Sequence, residues 1–231
     1  MTDSIRPVTI PIDSETTVSG LLQAPPDPFA AYVFAHGAGA GMAHRFMADV
    51  ATGLAARGVA SLRYQFPYME RGSKRTDSPA TAHAAVRGAV AFAAEQFGSL
   101  PLFAGGKSFG GRMTSQAQAI EPLGGVRGLA FVGFPLHPAD APAITRAAHL
   151  AEVAIPMLFV QGTEDKLAEF ELMRAEVAKL GAAATLLPIA HADHSFHVLR
   201  RSGRTDAEAM DEVLDGIATW LRALTTRSPA G

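Results

Sequence analysis

The chain has 231 residues, 48% of them hydrophobic and 18% charged, with 20 basic against 22 acidic side chains and a formal net charge of −2. That composition excludes a disordered chain, and so even a charge balance gives no electrostatic reason to expect nucleic acid or an anionic membrane as partner. Cysteine is absent, which removes disulfides, thiolate metal sites and a cysteine nucleophile together.

Residues 1–7 show no basic segment leading into an apolar one, and no apolar run reaches the roughly 20 residues of a membrane helix. The expectation is a cytoplasmic protein with neither signal peptide nor span. Residues 8–12 and 17–22 predict two short strands around a polar turn, an edge hairpin in which Pro11 is tolerable. From residue 31 the pattern changes. Compact apolar strands over 32–35, 60–66, 102–105, 129–134, 157–161 and 185–189 alternate with helical segments over 43–57, 80–97, 109–120, 168–180 and 206–224. Such alternation predicts a mostly parallel central sheet with helices on both faces: one α/β domain over 1–231, with edge strands in 1–24 and a flexible tail over 225–231. The stretch 135–152, with Pro138 and Pro142, is the one insertion able to overhang a site, and it is too short for a large lid.

The chemistry-bearing segments follow strands. After the first core strand comes His36-Gly37-Ala38-Gly39-Ala40-Gly41, small residues that let backbone approach a substrate, with the Ala38 N–H as a candidate oxyanion donor and a plain flexible turn as the alternative. After the apolar run 101–104 comes Gly105-Gly106-Lys107-Ser108-Phe109-Gly110-Gly111. In a Gly-x-Ser-x-Gly elbow the serine sits on a strained strand-to-helix turn, and the residues two before and two after it must be tiny. Gly106 and Gly110 meet that need, and a helix starting at Phe109 would aim its free N–H groups at an oxyanion formed beside Ser108. A phosphate-binding loop is the rival reading, but the Walker spacing is missing because Lys107 precedes the serine between glycines.

A serine hydroxyl needs a base, and the base needs an acid. The strand over 157–161 runs into Gly162-Thr163-Glu164-Asp165-Lys166, where catalytic groups of such sheets collect; Asp165 is the candidate acid and Glu164 its rival. The last strand is followed by His191-Ala192-Asp193-His194-Ser195-Phe196-His197, a dense cluster in a chain with eight histidines. His194 is the candidate base, with His191 and His197 open as alternatives. The same cluster has a zinc or iron reading through His-x2-His, and a plainer one as a surface loop. Phe66, Tyr68, Phe134 and His137, near strand ends, are candidates to line a pocket or to pack the core.

Taken together, the segments resemble the α/β-hydrolase superfamily, in which the order nucleophile, acid, histidine matches Ser108, Asp165, His194. At a finer grain the segment 36–41, Arg63-Tyr64-Gln65-Phe66-Pro67-Tyr68, the segment 105–112, Gly133-Phe134-Pro135-Leu136-His137-Pro138 and Asp193-His194-Ser195-Phe196 are similar to the dienelactone-hydrolase-like branch that includes the Tex30 and KANSL3-type hydrolase domains. The resemblance covers nearly the whole chain and selects Asp165 over Glu164 and His194 over its neighbours. It implies a single-domain α/β-hydrolase fold with a minimal lid and a serine hydrolase acting on a small-molecule ester or related acyl substrate. It calls for no cofactor and no metal, and has an oxyanion hole at Ala38 and Phe109. Authentic dienelactone hydrolases use a cysteine nucleophile, so this chain departs from them at that position. A hydrolase fold kept as a silent binding or scaffold protein is the other functional class that the resemblance contains.

Overall fold

The computed structural model describes residues 4–226. Strands β1 (Ser4–Pro11), β2 (Thr17–Ala24), β3 (Ala30–Ala35), β4 (Val59–Tyr64), β5 (Leu102–Lys107), β6 (Val126–Val132), β7 (Met157–Gly162) and β8 (Ala184–Ile189) form one sheet in the order β1-β2-β4-β3-β5-β6-β7-β8. The first two pair antiparallel with each other, and β2 runs antiparallel to β4. From β4 to β8 every neighbour is parallel. The edge hairpin is therefore present, with Pro11 at its end opposite Thr17.

The sequence of the central strands explains their place. In β3 and β4 every residue is buried, as expected of parallel strands covered on both faces, which read as continuous apolar runs. Alternate residues of one strand enter two different cores: Ala31, Val33 and Ala35 of β3 join one cluster, and Ala30, Tyr32 and Phe34 the other. The first core is closed by α3 (Pro79–Phe97), α4 (Phe109–Ile120) and α5 (Phe170–Lys179); here α2 (Pro67–Glu70), a single turn between β4 and α3, also packs. The second is closed by α1 (Arg45–Ala55) and α6 (Asp206–Thr225), whose Val213, Ile217 and Leu221 are fully buried; each contributes on the order of 1.5–3 kcal/mol.

Helix starts follow local chemistry. Ser78 caps α3 by accepting from the Thr81 N–H, and Thr205 with Glu208 forms a capping box at α6. Helix α1 is shorter than the expected 43–57 because His44, not a residue within the helix, accepts the Phe46 N–H at its start. The expected start of the tail is corrected as well. The tail does not begin at residue 225: α6 includes Thr225, and the Thr226 N–H still donates to the Arg222 carbonyl. The rest of that tail, 227–231, and residues 1–3 of the edge-strand segment lie outside the described residues.

Candidate active site

The carboxyl ends of the parallel strands gather the segments singled out in the sequence, because crossovers in such a sheet return every loop of this kind to one edge. Ser108 stands between β5 and α4 with φ 50° and ψ −114°, a conformation that costs a non-glycine residue about 1–3 kcal/mol and persists only where its surroundings enforce it. The enforcement is close packing. A Cβ on Gly106 would lie 2.5 Å from the Ala35 carbonyl oxygen, and one on Gly110 would lie 2.6 Å from the carbonyl oxygens of both Ala35 and His36. The elbow therefore presses directly on the end of β3, and only glycine fits on either side. The Ser108 N–H donates to the Val132 carbonyl at 3.2 Å, which leaves Phe109 at the start of α4 with an N–H that no turn of its own helix can accept.

Three histidines leave the turn after β8 toward three carboxylates. His194 Nδ1 lies 2.7 Å from Asp165 Oδ2, and His194 Nε2 lies 2.9 Å from Ser108 Oγ. His191 pairs with Glu164 at 3.2 Å, and His197 pairs with Asp206 at 2.9 Å. The three rivals of the acid and base are thus engaged elsewhere, with exposed side chains: 48% for Glu164, 53% for His191 and 55% for His197, against 0% for Asp165 and 23% for His194. Among the described residues no three His, Asp or Glu side chains converge on a metal position.

The buried Asp165 carboxylate is fully engaged. Oδ2 also accepts from Gln161 Nε2 at 2.6 Å, and Oδ1 accepts from the Leu167 N–H at 2.8 Å. Gln161 is in turn held by the Phe134 N–H, which donates to its Oε1. A buried carboxylate needs such partners, since each polar group taken from water must find a hydrogen bond in the protein. Gln161 was not foreseen, and its sole sequence signal is a polar residue near the end of an apolar strand.

The loop 36–44 is built from the far side. The His36 imidazole is buried, and burial pushes its pKa down to about 4, against the opposing pull of the Gly37 carbonyl and Asp77. Its neutral form has one assigned tautomer, since Nε2 accepts the Phe66 N–H at 3.0 Å and Nδ1 must therefore donate to the Gly37 carbonyl at 2.8 Å. In a trans peptide the carbonyl and the next N–H point opposite ways, so this bond turns the Ala38 N–H away from His36. Gln65 Oε1 accepts from the Met42 N–H at 2.8 Å, Arg63 Nη1 donates to the Met42 carbonyl at 3.2 Å, and the Tyr68 hydroxyl accepts from the Gly39 N–H at 3.3 Å. Four of the six residues of the segment Arg63-Tyr64-Gln65-Phe66-Pro67-Tyr68 thus hold the glycine-rich loop or its leading histidine: Arg63, Gln65, Phe66 and Tyr68.

Ser108 and His194 open on a cavity of about 350 Å³ whose walls include Ala38, Ala40, Phe46, Met47 and Leu167. Phe66, Tyr68 and Phe134 pack in the core beneath it, and His137 borders a separate cavity with Asp140 and Glu169. The insertion 135–152 contributes no wall to the cavity at Ser108. Instead its 3₁₀ segment Thr145–Glu152 docks on α4, with His149 Nε2 2.7 Å from Ser115 Oγ. The walls from Phe46 and Met47 come from α1, which the sequence shows as a covering helix and nothing more.

This arrangement of sheet, elbow and loops is that of an α/β hydrolase, and a family model described as an alpha/beta hydrolase domain matches residues 28–222; the chain belongs to that family. Solved structures of similar fold include a dienelactone hydrolase from Anabaena variabilis, with a TM-score of 0.76 and 19% identity over 96% of this chain and 98% of that one. An α/β serine hydrolase homologue from Coxiella burnetii gives 0.72 and 18% over 96% and 98%. A member of the α/β serine hydrolases without lid from Xanthomonas campestris gives 0.72 and 17% over 99% of both chains. At these identities the likeness is one of fold. No helix among the described residues is long and apolar enough to cross a membrane.

Proposed function

We propose that the chain is a cofactor-free serine hydrolase that cleaves a small ester or related acyl compound through Ser108, His194 and Asp165. The observation that carries this reading is the continuous line from Asp165 Oδ2 through both ring nitrogens of His194 to Ser108 Oγ, at 2.7 and 2.9 Å, ending in an apolar-walled cavity. Asp165 accepts from Nδ1–H and so leaves Nε2 unprotonated and facing the hydroxyl. Ser108 Oγ attacks the substrate carbonyl carbon while its proton passes to His194 Nε2. The tetrahedral oxyanion is held by the backbone N–H groups of Ala38 and Phe109, which carry no other partner among the described residues. Collapse of the intermediate breaks the acyl–oxygen bond, and the leaving alkoxide takes the proton from His194. Water then attacks the acyl-enzyme, gives its proton to the same nitrogen, and the acid departs as that proton returns to Ser108.

Cavity volume supports a small acyl group, and the walls Ala40, Phe46, Met47 and Leu167 support an apolar one. The test is labelling of purified protein with a fluorophosphonate, with the adduct mapped by mass spectrometry in wild type, Ser108→Ala and His194→Ala. An adduct on Ser108 that is lost in both variants, with turnover of a short-chain p-nitrophenyl ester, is the expected result. A folded protein that takes no label and turns over no ester would instead be a hydrolase fold used for binding.

A further inference from the structure

Lys107 lies between Gly106 and Ser108, and its side chain is part-buried, turned toward the base-bearing turn. The stem borders the catalytic cavity, and the ammonium is enclosed by protein, donating to the main-chain carbonyl of His194 at 2.5 Å. Nζ lies 5.7 Å from the ring centroid of Phe46 and 5.6 Å from that of Phe196, two rings stacked at 6.2 Å. These are distances at which an aromatic face attracts a cation. The fourth wall is Gly133, with φ +67°: a Cβ there would sit 2.7 Å from Lys107 Nζ and 3.4 Å from His194 Cε1. The space beside the imidazole is thus kept open for an ammonium by a glycine, two aromatic rings and a carbonyl.

We propose that Lys107 is a positioning residue of the hydrolytic reaction, its ammonium fixing the main chain of His194 so that the imidazole stays aligned between Asp165 and Ser108. The proposal rests on the reading of His194 as the base. Its geometric basis is that Lys107 is covalently adjacent to the nucleophile while its tip holds the base-bearing residue, so one side chain ties the end of β5 to the turn after β8. The link reaches past β6 and β7, which lie between β5 and β8 in the sheet, and an error of about 1 Å between such groups can cost about a hundredfold in rate.

A mere brace would not need a charge. Burial pushes the ammonium down to about 8, although Asp165 and Asp193 favour its charge; those two and His194 are the ionisable groups facing it. A lysine that holds its proton less tightly folded than unfolded lowers stability below the folded value, and the penalty fades as pH rises from about 8 toward the unfolded lysine value of about 10.4. An apolar chain of similar length in the same socket would avoid it. Retention of a group that lowers stability beside a reactive centre is the pattern expected of a functional residue.

The experiment compares wild type, Lys107→Met and Lys107→Arg in three ways: thermal midpoint from pH 6 to 10, amide hydrogen exchange of residues 190–198, and kcat with KM on a p-nitrophenyl ester. Lys107→Met is expected to melt no lower than wild type at pH 7 and to lose that advantage toward pH 10. Exchange in 190–198 should rise about tenfold or more with 36–44 unaffected, and kcat should fall about 10- to 100-fold at nearly constant KM. Lys107→Arg, which keeps charge and donor, should recover part of kcat and of the protection. A Lys107→Met protein that fails to fold or melts well below wild type at pH 7 makes the ammonium a brace and overturns the proposal, as does unchanged exchange in 190–198. If exchange rises but wild type itself turns over no ester and takes no fluorophosphonate, the positioning holds and the hydrolase reading is what fails.

Discussion

The loops 36–44 and 190–198 both border the cavity at Ser108, and they differ in how much each orders itself. The first is small-residue backbone gripped from outside, by Arg63, Gln65, Phe66 and Tyr68, with His36 as its own contribution. The second adds a side-chain grip of its own to the outside bonds from Lys107 and Thr163: Asp193 Oδ1 accepts from the N–H groups of Ser195 and His197, and the Asp193 N–H donates to the His197 carbonyl. The difference matches what each would offer the proposed reaction. A loop whose working parts are main-chain N–H groups must shed side chains to let substrate approach, so its order comes from its neighbours. A loop whose working part is a side chain can use its other side chains to order itself.

The sharpest way to break that comparison is to remove the side chains it assigns to chemistry. Ser108→Ala and His194→Gln are each expected to lower kcat/KM for a short-chain ester by about 10⁴ or more, and Asp165→Asn by about 10²–10⁴, with folding intact by circular dichroism. His191→Gln is expected to stay within about twofold, since its partner Glu164 is half exposed and leads nowhere. Comparable losses at His191 and His194 would mean that the base is misassigned.

Next in size is the elbow itself. Gly106→Ala and Gly110→Ala each drive a methyl group against the carbonyl oxygen of Ala35, backbone that cannot turn aside. A loss of about 2–4 kcal/mol in urea unfolding is expected for either. A neutral Gly110→Ala would show that α4 can slide off the end of β3, and that the φ of Ser108 is not enforced by packing.

The outside grip on the first loop is tested by His36→Ala. Losing the bond to the Gly37 carbonyl frees the Ala38 peptide to rotate, and kcat is expected to fall about tenfold to a hundredfold with KM little changed, less than the roughly 10²–10³ of deleting a donor outright. Fluorophosphonate should still reach Ser108, more slowly. An unchanged kcat would place the oxyanion donor elsewhere than Ala38.

These contrasts also mark what was legible in the sequence. Chain order and the place of each strand were, though not the ends, since β4, expected over 60–66, runs Val59–Tyr64 and β6, expected over 129–134, runs Val126–Val132; a parallel sheet writes continuous apolar runs, and glycine at positions 106 and 110 answers a local steric need. The choice among three histidines was not, since His191, His194 and His197 differ only in which way the turn aims them, and that is set by Asp193, Thr163 and Lys107 acting across the chain. Phe66 and Tyr68 were open between pocket and core for a related reason: their place depends on how the loop 36–44 folds over them. Lys107 carried a signal of its own, a lysine inside a glycine elbow, but its contact with a residue 87 positions along the chain is a tertiary fact.

The smallest expected effect isolates the pair that most resembles the proposed catalytic one in chemistry and least in setting. His197 and Asp206 are 2.9 Å apart, with side chains 55% and 61% exposed. The hydrogen bond and charge of Asp206 raise the His197 pKa, and His197 in turn holds Asp206 below the usual carboxylate range. For the histidine, a raised folded value means that its contribution is fully present below the unfolded value of about 6.5 and is lost as pH rises through the folded one. For the carboxylate, a depressed folded value means that its contribution is present above the unfolded value of about 3.9 and is lost as pH falls through the folded one. The pair therefore stabilises most between those limits. His197→Gln is expected to lower the thermal midpoint slightly near pH 5–6, with the difference closing by pH 8 and shrinking in high salt because the pair is open to solvent. The kcat of the variant should remain within about twofold of wild type. A midpoint difference that persists unchanged at pH 9 would mean that His197 serves the turn by packing rather than by charge, and the contrast with His194 would then rest on position alone.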